Sequence, residues 1–427
     1  MFARTSCLCL LLVICTPAAA QEGQQVRRLP LSVFQDRMKG GWLGQMIGVG
    51  WGQPTEFTVN GAIMRDDQMP PWNPGMVNQH GNDDWYVEMT FMKTLETYGF
   101  DVSIRQAGID FANSGYPLWH ANNAGRTNLR KGIAPPDSGH PRFNKHADDI
   151  DYQIEADFSG IISPGMPNQV IALSEIFGRL MNYGDGRYAG QFIGGMYAET
   201  YFESDVVKVI EAGLACVPAD SQYAEMVRDM LKWYKENPTD WEKTWQWVEA
   251  QYHKDPKYTH GLCSRPGLDQ QGRRGSIDAK LNGAYVIMGL LYGKGDPDNT
   301  MRIACRCGQD SDCNPANAGG VYFAVLGASR IPSRFIEKLD LKAKYSHTDY
   351  TVPKVYEVSE MLVRKAVLRS GGKIEKDANG EEVFVTPVQT PKPGKAEKSY
   401  EPGPIVNSRF TAEEMEKITA GQPKPKE

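Results

Sequence analysis

The sequence predicts an all-α protein, an orthogonal multi-helix bundle with a small C-terminal appendage. Three observations carry that prediction. Segments with helical spacing of apolar residues follow one another through short loops over 168–305, and strand-like alternation is nearly absent. Glycines at Gly195, Gly213, Gly283 and Gly289 fall within those segments, where helices cross closely. The 427 residues suffice to bury a large core. A net charge of -5, with no basic stripe, excludes a nucleic-acid-binding surface.

At the N-terminus Arg4 precedes an apolar run from Cys7 to Cys15 and the small residues Pro17, Ala18, Ala19 and Ala20. This is the pattern of an export signal over 1–20, too short to span a bilayer, and it places the mature chain in the periplasm or outside the cell. A helical domain over 21–345 and a segment of helix, hairpin and flexible tail over 346–427 complete the expected organisation. Of eight cysteines, Cys216, Cys263, Cys305, Cys307 and Cys313 remain after the signal. In an oxidising compartment a bridge within 305–313 is one reading. A zinc site there is disfavoured, because paired C-x-x-C elements and a nearby His are missing.

Residues 21–30 are polar and read as a loose lead-in. From Ser32, a candidate N-cap, residues Val33, Phe34, Met38, Trp42, Leu43, Met46 and Ile47 have helical spacing. The run ends in Gly48-Val49-Gly50-Trp51-Gly52, read as a tight turn beside a ligand, with the lone carboxylate of Glu56 following. A helix is expected over 85–98, with Asn82, Asp83 and Asp84 in its first turn. Residues 113–147 lack periodicity and read as a long loop covering a site, with Trp119 and His120 in it. Trp72, Tyr116 and Trp119 either stack on sugar or base faces or anchor that loop to the core. Asp151 and Glu155 share one helical face, as substrate-binding candidates or as solvated acids.

Helices are then expected over 168–180, 189–202, 204–215, 221–236, 239–251, 279–292 and 296–305. Another follows over 355–368, then a hairpin over 373–385 turning at Asn379-Gly380, and a tail rich in Pro, Lys and Glu with a short helix over 411–419.

The stretch Cys307-Gly308-Gln309-Asp310-Ser311-Asp312-Cys313 opens a run of small residues. Its two carboxylates are either helix caps or hard oxygen ligands for a cation. The second acidic pair, Asp83-Asp84, favours ligands, since one acid suffices for capping and adjacent acids repel unless a cation neutralises them. Hard carboxylate and amide oxygens suit Mg²⁺, one ion or two, with Ca²⁺ or Mn²⁺ as alternatives.

The order of these motifs over roughly 36–330 resembles the ADP-ribosylglycohydrolase family. The resemblance implies an all-α hydrolase that binds two magnesium ions and cleaves ADP-ribose from protein side chains or related compounds. It implies Asn82, Asp83, Asp84, Asp310 and Asp312 as metal ligands and Glu56 as the family's glutamate near the metals. On physical grounds a carboxylate such as Glu56, Asp83 or Asp312 is expected to act as the catalytic general base. The chain departs from the family pattern at four places. Asn82, Trp85 and Cys313 stand where a small hydroxyl residue is usual, and Val49 stands for an acid. Trp85 is therefore expected to narrow the pocket or stack on a sugar. The expected activity is hydrolysis of a glycosidic bond in a saccharide, riboside or ADP-ribosyl-like substrate. The alternatives are an ADP-ribosyl-protein hydrolase and a non-catalytic sugar- or metal-binding protein.

Overall fold

The computed structural model describes residues 25–421 apart from 261–262, 264–266 and 269–273. Among these residues seventeen α-helices dominate and the strands are few and short, the all-α bundle expected.

At its centre the helix Leu31–Gly52 lies antiparallel against the helix Cys313–Leu326. Gly40, Gly44, Gly48 and Gly52 form one stripe at four-residue spacing. A Cβ on them would stand 2.2, 2.3, 2.1 and 2.0 Å from the carbonyl oxygens of Phe323, Gly319, Pro315 and Ser311. The two backbones touch directly, which only glycine permits. The glycines expected to end the first helix at residue 48 instead continue it to Gly52, because close packing, not turning, is what they supply.

Beyond Gly52 the chain makes a short 3₁₀ turn, Gln53–Thr55, and is tied to the acidic loop. Thr55 Oγ1 meets Ser311 Oγ at 2.9 Å, Phe57 N donates to Gln309 O, and Gln309 N donates to Val59 O. Gly308 has a left-handed φ of 81° and a Cβ there would lie 2.5 Å from Val59 O. Helix Asp83–Tyr98 packs against this pair through Trp85, whose ring stacks on Tyr345 at 5.0 Å and lies 6.0 Å from Trp42.

Four further expectations are corrected. The lead-in contains a strand, Val26–Pro30, which pairs antiparallel with Glu382–Pro387, the second strand of the expected hairpin. The long loop over 113–147 contains the helix His120–Arg130. Its buried face carries Asn122, Arg126 and Asn128, which bond to Glu155 and to backbone carbonyls, so apolar periodicity is missing although the helix is there. The helix expected over 239–251 is Trp241–Val248 followed by a π-helical turn, Glu249–Lys254. All five cysteines of the described residues are buried free thiols, with no bridge within 305–313.

The stretch after Pro387, expected as a flexible tail, straps the body. Glu397 bridges Arg179 and the buried Arg187, and Asp137 accepts from the backbone N–H groups of Val406 and Ser408. Helix Ala412–Gly421 is held by a Glu414–Arg105 ion pair. These bonds join residues far apart in sequence, where no local pattern announces them.

The glycine contact makes a stability prediction of definite sign. Helix propensity favours Ala over Gly by about 1 kcal/mol, but overpacking against rigid backbone costs roughly 3 kcal/mol. Gly48→Ala is expected to destabilise, whereas Gly81→Ala, with nothing near its Cβ, should change stability by less than about 0.5 kcal/mol. Urea unfolding of the two variants beside wild type measures the difference.

Candidate active site

Segments distant in sequence converge on one cavity of about 510 Å³. The glycine contact brings Gln53, Glu56 and Phe57 to one wall, beside Asp310, Asp312 and Cys313 at the start of the Cys313–Leu326 helix. The N-terminus of helix Asp83–Tyr98 adds Asn82, Asp83 and Tyr86. Opposite stand Trp119, His120, Ile150, Asp151 and Ile277, with Ser346 and His347 closing the rim. The boundary expected at residue 345 thus falls beside two residues of the cavity wall.

Asn82 caps its helix, its side-chain oxygen accepting from Asp84 N at 3.0 Å, while its amide nitrogen donates to Asp312 Oδ2 at 3.2 Å. The carbonyl proposed as a ligand is therefore engaged in capping, and Asn82 links the two acidic motifs through its other end. Asp84 is fully buried just behind the wall, its Oδ1 3.4 Å from Cys313 Sγ. Single ligand atoms of Asp310, Asp312 and Cys313 all lie within 4.8 Å of one another.

Burial and mutual repulsion favour the neutral form of these acids. Burial, then the charges of Asp83, Asp312 and Asp310, push Asp84 far above the usual carboxylate range. Asp312 is raised likewise by burial and by Asp310, and burial pushes Asp310 up to about 6. Asp151 is raised by burial and by Asp149, and Asp83 by burial. A bound cation would reverse this, because its charge favours the ionised acids. Asp84 Oδ2 and Asp310 Oδ1 are buried without a hydrogen-bond partner. Orphaned carboxylate oxygens at the meeting point of four acids fit a divalent cation.

The cavity thus gathers Glu56, Asn82, Asp83, Asp310, Asp312, Trp119, His120 and Asp151 as wall residues. Two substrate-binding expectations are corrected. Trp85 is 0% exposed and faces Trp42 and Tyr345 in the core, because it lies on the inward side of its helix. Glu155, also fully buried, holds the Asn122 amide and positions the His120–Arg130 helix without lining the cavity. Sequence reasoning missed Tyr86, His347 and Asp149. Tyr86 stacks on Tyr116 at 4.4 Å and donates to Pro117 O. Asp149, which accepts from Ala121 N, Asp151 N and Asn182, orients the wall carrying His120 and Asp151. Asp149 follows Asp148 in the acidic run 148–151 that includes Asp151, a signal that would have found it; His347 had none.

A second group of metal-ligating side chains, His146, Asp149 and Cys263, lies beside this wall, with the His146 ring 5.2 Å from that of His120.

A family model for ADP-ribosylglycohydrolases matches residues 30–367, and the chain belongs to that family. No curated protein matches the chain significantly. A solved structure described as an ADP-ribosylglycohydrolase-related protein complex is similar, with 16% identity, over 78% of this chain and 99% of that one, at a TM-score of 0.48. Membership supports a glycohydrolase-type function.

The raised acids give the metal-free protein a characteristic pH dependence. A folded-state carboxyl near 6, as for Asp310, binds its proton more tightly than in the unfolded chain, so stability falls as pH rises through that window. In EDTA the thermal midpoint is expected to fall between about pH 4 and about pH 6. Asp310→Asn should flatten that slope, and excess Mg²⁺ should reduce it. Calorimetry across the window reads all three.

Proposed function

We propose that this chain is a metal-dependent hydrolase cleaving a glycosidic bond in a saccharide, riboside or ADP-ribosyl-like compound outside the cytoplasm. The observation that carries the reading is the meeting of Asp83-Asp84 with Asp310 and Asp312, two distant helix starts, at one end of a cavity sized for a small ligand. Asp83, Asp84, Asp310 and Asp312 would hold Mg²⁺, or Ca²⁺ or Mn²⁺, through hard oxygens. Such an ion supplies Lewis acidity toward a sugar oxygen or water.

The chain's own groups bind, orient and move protons. Glu56 faces the cavity on a loop tied to Gln309 and bears electrostatically on Asp310. It is the carboxylate placed to take a proton from water. Trp119, 43% exposed at the rim, offers a sugar a stacking face. His120 and Asp151 face it with polar groups that can hold hydroxyls. The substrate is a small molecule or an oligosaccharide, consistent with the cavity volume. No helix of the described residues is long and apolar enough to cross a membrane. The export pattern over 1–20 supports a substrate outside the cytoplasm.

Thermal unfolding with Mg²⁺, with Ca²⁺ and with EDTA, beside hydrolysis of aryl glycosides, oligosaccharides and ADP-ribosyl substrates, tests the reading. Wild type is expected to gain roughly 3 kcal/mol at a hundredfold excess of metal over its dissociation constant. Asp83→Ala and Asp312→Ala should each lose that gain together with activity. A wild type indifferent to metal, or single variants that respond as wild type does, would make the acids helix caps and defeat the proposal.

A further inference from the structure

Cys313 is the first residue of the Cys313–Leu326 helix, buried, and on the cavity wall. Its sulfur faces acids: Asp84 Oδ1 at 3.4 Å and Asp312 Oδ1 at 3.8 Å. As a thiol it donates one weak hydrogen bond, to Asp84, and this leaves Asp84 Oδ2 and Asp310 Oδ1 without partners. A cation touching the sulfur would serve the orphaned oxygens as well.

The distances allow it. Two metal–ligand bonds of about 2.0–2.3 Å at a tetrahedral angle set their ligand atoms about 3.3–3.8 Å apart. Asp310, Asp312 and Cys313, with ligand atoms within 4.8 Å, therefore close on a single ion with side-chain shifts on the order of 1 Å. Sulfur changes which ion that is. Mg²⁺ and Ca²⁺ take oxygen donors, whereas thiolates are favoured by softer ions and the Irving–Williams order raises Co²⁺ and Zn²⁺ further.

We propose that Cys313 supplies a thiolate ligand at the acidic site and shifts its preference from Mg²⁺ toward a thiophilic divalent ion such as Zn²⁺ or Co²⁺. The inference rests on the metal-dependent reading given above and deepens it. On binding, the thiol proton leaves to solvent and the sulfur–metal bond takes its place. The small hydroxyl usual in the family offers an oxygen at this position, and the exchange to sulfur alters the donor set while keeping its size.

Co²⁺ is the probe, because thiolate bound to it gives a charge-transfer band in the near ultraviolet that oxygen-only Co²⁺ lacks. Titration of the mature full chain is expected to raise that band to saturation, and Zn²⁺ should abolish it by displacement. Cys313→Ser should still bind Co²⁺ but without the band, and its preference for Zn²⁺ over Mg²⁺ in competition should fall about tenfold or more. Cys263→Ser should keep the band. Co²⁺ bound by wild type without the band would overturn the thiolate and leave the metal-dependent reading standing. A band that survives Cys313→Ser would also overturn it, placing the sulfur elsewhere, as at Cys263, 3.7 Å from His146 Nδ1. If Mg²⁺, Co²⁺ and Zn²⁺ all failed to bind, the metal-dependent reading itself would fall, and this inference with it.

Discussion

The direct backbone contact between Leu31–Gly52 and Cys313–Leu326 is the constraint on which the rest of the structure depends. Four glycines let the helices approach until carbonyl oxygens fill the space where side chains would be. Because the helices run antiparallel, the C-terminal end of one meets the N-terminal end of the other. The loop carrying Glu56 therefore emerges beside Asp310 and Asp312, and hydrogen bonds through Thr55, Phe57 and Gln309 fix it there. A wider helix separation would part these groups by the thickness of a side chain.

Beneath the cavity lies a second layer of buried polar groups. Glu88 accepts from Phe158 N and from the Gln45 amide, and burial raises its carboxyl to about 8. Asp157 accepts from Tyr197 and Asn317 and is raised by burial and by Glu88. These acids have donors on several helices and serve as neutral or shared-proton struts. The acids of the cavity differ, since Asp84 and Asp310 keep oxygens that no protein donor meets. That difference separates the cavity acids from the satisfied polar core beneath them.

The strap after Pro387 supports the side of the cavity formed by Asp148–Asp151. Ser399 donates to Asp148, and Glu397 neutralises Arg187, which is almost wholly enclosed. The same wall receives the backbone of the His120–Arg130 helix, whose first N–H groups fall on Asp149 and Asp151. Asp149 and Asp151 thus serve as structural acceptors, while Asp151 also faces the cavity.

By itself the sequence determined the helical class, most helix positions after residue 167, the C-terminal hairpin and the two acidic motifs, because each is written in local spacing: apolar period, turn residues, adjacent acids. It also singled out Glu56, Trp119, His120 and Asp151 as residues of one site. Only the tertiary structure decided that Trp85 belongs to the core, since the side of a helix that faces the cavity depends on what packs behind it. Only it showed Gly48 as a contact residue and not a turn, His120–Arg130 as a helix whose buried face is polar, and the tail as a strap. In each case the deciding partners lie far along the chain, and the free energy that selects the conformation comes from contacts that exist only once the fold has formed.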